Sequence, residues 1–167
     1  MPLTQQQQEI VESFRSFIEE SVAIDDRYGP ASRHDRDDGS TLATRFSAAP
    51  ACWFEIAVRP LIPQVRVGFV TTDRWKSEEI EQAIEDSGDT MQEFVEIALE
   101  EAGVPGPYQP VEHYREAGEY FYFATPLPLD ELTDLERDEV RDRTLCMLEG
   151  YLLAFGPAIV VEEESEG

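Results

Sequence analysis

Between residues 41 and 71 the chain alternates apolar and polar side chains in three consecutive stretches, and this constrains the fold more than anything else in the sequence. In 41–47, Leu42, Thr44 and Phe46 alternate with Ala43 and Arg45. In 52–59, Cys52, Phe54, Ile56 and Val58 fall on one side, with Trp53, Glu55, Ala57 and Arg59 on the other. In 64–71, Val65, Val67 and Phe69 share a side opposite Arg66, Gly68 and Val70. Successive strand side chains point to opposite faces, so each stretch reads as a half-buried strand. The links, at Ala49-Pro50 and from Pro60 to Pro63, are too short for a parallel crossover. The three strands therefore predict an antiparallel meander.

Helical spacing flanks this meander. Thr4 is placed to cap a helix over 4–22, in which Ile10, Phe14, Phe17 and Ile18 form an apolar stripe and Glu12, Arg15 and Glu19 face away. Residues 25–40 are polar, carry the turn signals Gly29-Pro30 and Asp38-Gly39, and predict a mobile loop. Ser77 opens a second helix with Ile80, Ala83 and Ile84 on one stripe. Ser87-Gly88-Asp89 interrupts it, and Asp89 is placed to cap a continuation through Phe94, Val95, Ala98 and Leu99 that ends at Gly103. Residues 111–116 and 119–125 predict a hairpin about Ala117-Gly118, ended by Pro126 and Pro128. A last helix is expected over 132–155, stopped by Gly156-Pro157.

The fold class is therefore α+β: an antiparallel sheet of about five strands packed by helices, in the order α-β-β-β-α(α)-β-β-α. Residues 1–161 read as a single domain and 162–167 as a disordered acidic tail.

Charge is distributed to match. The formal net charge is -23, yet residues 51–72 hold one acid, Glu55, against two bases, Arg59 and Arg66. Residues 73–104 hold eleven acids and two bases, and residues 130–167 twelve acids and three bases. The carboxylates belong to helix surfaces and to the tail. Such a surface repels phosphate backbones and anionic headgroups, which argues against nucleic-acid and membrane partners. Lys76 is the only lysine; arginine as the base is consistent with a high-GC host, and the excess carboxylate with either a halophilic or an ordinary acidic protein.

Cys52 and Cys146 supply neither a disulfide framework nor a zinc site, and read as buried free thiols in a reducing compartment. No opening segment resembles a signal peptide and no apolar run reaches membrane length, so a cytoplasmic location is expected. His34 with Asp35, Asp37 and Asp38 superficially resembles a calcium loop, but Gly39 falls where the fifth ligand belongs. His113, flanked by Glu112 and Glu116, has the form of a general base without a nearby nucleophile or oxyanion hole. Glu78, Glu79, Glu81, Glu85 and Asp86 spread around their helix instead of converging. No catalytic residue, metal ligand or cofactor site is assigned.

The stretch from Glu119 to Leu129, reading EYFYFATPLPL, is an aromatic strand running into a Pro-Leu exit. It leads into an amphipathic helix ending YLLAFGP at Pro157. In these segments and in element order the chain resembles the YbjN-like family of bacterial sensory transduction regulators, within the type III secretion chaperone-like fold. The resemblance implies a small acidic protein, often dimeric, that binds other polypeptides, and it brings no catalytic residues.

One apolar feature lies outside the expected core. If Phe54, Ile56, Val67, Phe69, Phe121 and Phe123 face the helices, then Trp53, Val70, Tyr120 and Tyr122 share the opposite sheet face. These four are the expected partner-binding residues, with the apolar stripes of the first and last helices as the alternative surface. The expected function is a non-enzymatic protein-binding module, chaperone-like or regulatory, acting on a protein client and forming a homodimer. The alternatives are a small hydrolase or transferase with its site near His113, and a structural subunit of a larger assembly.

Overall fold

A computed structural model describes residues 3–116 and 120–166, with the side chains of Glu116 and of 160–166 left aside. Among the described residues the chain is α+β, with four α-helices and one six-stranded antiparallel sheet. The elements run α1 (Gln5–Ala23), β1 (Ala31–Asp35), β2 (Leu42–Ala49), β3 (Cys52–Arg59), β4 (Gln64–Thr71), α2 (Arg74–Asp86), α3 (Met91–Glu101), β5 (Glu112–Glu116), β6 (Tyr120–Pro128), a 3₁₀ turn (Leu132–Glu136) and α4 (Asp138–Glu166). The strand order is β1-β2-β3-β4-β6-β5.

The alternation in the middle of the chain translates directly into register. Phe46 pairs with Phe54, Phe54 with Phe69, and Phe69 with Phe123, so the aromatic residues form a row across four strands. The helices cover this face. Phe14 and Ile18 of α1, Leu99 of α3, and Leu148, Tyr151 and Phe155 of α4 are essentially inaccessible in the same core. Phe155 stacks on Phe69 at 5.4 Å and 7°, and the Tyr151 hydroxyl meets Thr125 Oγ1 at 2.7 Å. Burial pushes the Tyr151 phenol up from its ordinary range. At Gly150 an added Cβ would lie 2.8 Å from Leu99 Cδ2, so glycine lets α3 and α4 close on one another there.

Several expectations are corrected. The polar segment 25–40 contains a sixth strand, β1, whose five residues are all exposed. Its sequence carries no apolar alternation because it is an edge strand held by other means. Arg15, expected on the solvent face of α1, is 5% exposed; it grips Asp35 through two bonds of 2.8 and 3.0 Å and donates to the Ala43 carbonyl. Arg33 reaches back from β1 to Glu12 and Glu19 of α1, with four bonds of 2.8 to 3.0 Å. The α1 face that reads as solvated is the face that docks the edge strand.

Helix starts shift for identifiable reasons. Asp73, not Ser77, caps α2 by accepting from the Trp75 and Lys76 amides. Thr90, not Asp89, caps α3 in a reciprocal capping box with Glu93. Strand β6 continues through Pro126 to Pro128 because β5 pairs with it only as far as Ala124. Beyond that point one side of β6 has no neighbouring strand among the described residues, and a missing N–H costs no ladder bond. The last helix begins as a 3₁₀ turn, resets at the extended Arg137, and runs past Gly156-Pro157. Ala154, Phe155 and Ile159 are buried on either side of Pro157, so packing carries the helix across the proline. The Ala117-Gly118 turn lies outside the described residues, as do the side chains of the expected acidic tail.

Candidate functional site: the outer face of the sheet

The second face of the sheet is built from the outward half of each alternating strand. Pairing places Ser47, Trp53, Val70, Tyr122 and Tyr114 in one row. The adjacent row is Arg45, Glu55, Gly68, Ala124 and Glu112. The four residues expected to share this face do so: Val70, Tyr122 and Ala124 form a small cluster with Trp53 and Tyr120 packed on it, and among the described residues no helix residue belongs to it.

The character of the face differs from a plain aromatic patch. Val70 is 0% exposed and Tyr122 6%, so both serve the chain's own packing. Trp53 and Tyr120 are half-buried, and Tyr114, a fourth ring brought to the face by the hairpin register, is 61% exposed. Beneath these rings lies an ion cluster. Arg45 Nε donates to Glu55 Oε2 at 3.0 Å, and Arg66 Nη2 lies 3.6 Å from Glu55 Oε1. All three are under a tenth exposed.

Charges on an open sheet face are buried because aromatic side chains lie over them. The Arg45 guanidinium sits 4.4 Å from the Tyr120 ring centroid and 5.7 Å from that of Trp53. Arg66 sits 4.4 Å from the Tyr122 centroid. Small residues make room for the long side chains. Gly68 stands opposite Glu55, and a Cβ there would lie 2.3 Å from the Phe123 carbonyl oxygen and 2.7 Å from Ala124 Cβ. Two cations share one anion, so the cluster holds a net positive charge at the centre of a strongly acidic chain. A signal for it exists in the sequence: Arg45, Glu55 and Arg66 all fall on the outward side of three consecutive strands. Taken one strand at a time, each of these charges reads as solvated, and only their alignment points to a cluster.

The other candidates are dispersed. His113 lies on the helix face, stacked on Phe123 at 4.0 Å. Its Nε2 is 2.5 Å from Glu81 Oε1 and its Nδ1 is 3.0 Å from the Tyr122 carbonyl oxygen. The ring thus joins α2 to the sheet. His34 contacts Ser32 at the exposed edge strand, where burial and then the nearby Arg45 hold its imidazole below the usual range. Asp37 and Asp38 lie in the β1–β2 turn, and among the described residues no group of three or more His, Cys, Asp or Glu side chains is placed to hold a metal. Cys52 is buried and Cys146 half-buried, both as free thiols. Among the described residues no helix is long and apolar enough to cross a membrane.

The apolar stripes of α1 and α4, the alternative surface for partner binding, are consumed by the core: Phe14 is 0% exposed, Ile18 1% and Leu148 1%. The chain matches no family model, no curated protein and no solved structure among those compared.

Proposed function

We propose that the chain is a non-enzymatic protein-binding module, chaperone-like or regulatory, that engages a polypeptide partner through the outer sheet face and forms a homodimer. The supporting observation is the asymmetry of the sheet. One face is sealed by helices, while the other joins Trp53 and Tyr120 over a net-cationic Arg45–Glu55–Arg66 cluster, with exposed Tyr114 against Tyr122 beside it. Aromatic and arginine side chains dominate the energetics of protein contacts. A single sheet with helices on one side also supports the type III secretion chaperone-like fold and, with it, the YbjN-like assignment. A cytoplasmic setting is part of the same reading, resting on two free cysteines and an acidic surface.

The test separates contact residues from packing residues. Tyr114→Ala should weaken partner capture or self-association about tenfold, as hot-spot truncations do, with little loss of thermal stability. Trp53→Ala should weaken it similarly with a moderate loss of stability, since Trp53 also lies over Arg45. Tyr122→Ala should instead destabilise the fold, because Tyr122 covers Arg66. Sedimentation equilibrium and affinity capture from native lysate at high salt provide the readouts. Undiminished capture together with an unchanged sedimentation profile in both variants would remove the sheet face from the proposal.

A further inference from the structure

We infer that a second docking site, separate from the sheet, lies in the groove between α3 and α4 and takes a basic amphipathic helix. Phe94, Ile97 and Ala98 of α3 face Leu153, Ala154 and Pro157 of α4 across a groove of about 490 Å³. Gly150 draws the two helices together at one end, against Leu99. Ile97 is 57% and Leu153 39% exposed, so two large aliphatic side chains face solvent across one concave surface.

The walls are helices, whose backbone groups are engaged within each helix and offer no strand edge. An occupant must therefore bring its own satisfied backbone and insert side chains, which is what a third helix does with residues at spacings of three and four. Charge specifies the rest. The groove residues that carry charge are Asp89 and Glu101, both acidic. Lys76 of the flanking α2 is engaged by Glu79 and by the Ala158 carbonyl at the α4 wall, and leaves these two carboxylates to an incoming cation. Pro157 adds a polar feature within the apolar wall. It has no N–H to give the Leu153 carbonyl one turn back, so that acceptor lacks its regular helical donor. A lysine or arginine at the edge of an incoming apolar stripe can satisfy both the carbonyl and the acidic rim.

The probe is a fluorescein-labelled synthetic peptide of about 18 residues, roughly five helical turns, with leucine along one face and lysine along the other. Its anisotropy is followed in moderate salt, so that diffuse attraction to the acidic surface is screened. Saturable binding is expected, with a gain in peptide helicity by circular dichroism. Ile97→Glu and Leu153→Glu should each weaken it at least tenfold, and Asp89→Asn with Glu101→Gln should reduce both affinity and its salt dependence. Leu153→Gln serves if a glutamate variant loses its native circular dichroism. Trp53→Ala should leave peptide binding unchanged, which keeps this site distinct from the sheet-face proposal. The inference is overturned by equal binding to wild type and groove variants, by binding without added helix, or by no saturable binding. It is equally overturned if Leu153→Glu converts a dimer to a monomer in sedimentation, since the occupant would then be a second copy.

Discussion

Glu55 is the residue on which the outer face depends. It is 3% exposed, sits between two buried guanidinium groups, and is the carboxylate paired with both of them. Burying an ion pair is close to neutral when it is complete, but removing one partner leaves desolvated charge behind. Here two arginines would be left facing each other under aromatic rings. Glu55→Ala is expected to destabilise the chain by about 3–5 kcal/mol, the range for breaking a buried pair. Urea denaturation measures it; a loss within the range of ordinary surface substitutions would mean that water reaches the cluster and screens it. The corresponding change on the α1 surface, at Glu9, should be nearly silent, since that side chain is exposed.

At the scale of elements, β1 shows how an edge strand without an apolar stripe is retained. Two arginines pointing in opposite directions, Arg15 from the helix and Arg33 from the strand, tie α1 to β1. The Arg33 guanidinium, through its hydrogen bonds, holds the Glu12 carboxyl down at about 2 against an ordinary 4.5. For Glu19, burial pushes the carboxyl up, but hydrogen bonds from Arg33 and Thr44 outweigh it and the net direction is down. A carboxylate depressed in the folded state contributes stability that is full above its unfolded value and is lost as pH falls through the folded one. For Glu12 that window runs from about 4.5 down to about 2. Amide-exchange protection of 31–35 is therefore expected to fall across this window before that of β3 and β4, with Arg33→Ala reproducing the loss at neutral pH. Simultaneous loss of protection in all strands would mean that β1 is not held separately by this clamp.

For the whole molecule, electrostatics is governed by the excess of carboxylates, 36 against 13 lysines and arginines. Self-repulsion of this size opposes the compact state, and mobile ions screen it. The Debye length shrinks from about 10 Å at 0.1 M to about 3 Å at 1 M salt. Salt also weakens exposed pairs such as Arg33–Glu12, but the repulsive pairs far outnumber them. The melting temperature is expected to rise by several degrees between these concentrations of potassium chloride. A flat or falling profile would show that local pairing, not net charge, sets the electrostatic balance.

Period-two alternation in 41–47, 52–59 and 64–71 was sufficient for the sequence alone to determine the meander and its inward phenylalanines, and with the alternation of 119–125 it put Trp53, Val70, Tyr120 and Tyr122 on one face. A one-residue slip would have turned every apolar side chain outward. Thr4 and Gly103 marked helix ends because capping is local chemistry. Tertiary structure alone decided what no local pattern encodes. It made β1 a strand through partners 14 to 21 residues away, at Glu19 and Glu12. It carried α4 through Pro157 because buried neighbours outweigh one missing hydrogen bond. It also turned Arg45, Glu55 and Arg66 from solvated charges into a buried cluster, because only strand register brings three separately ordinary side chains under the same rings.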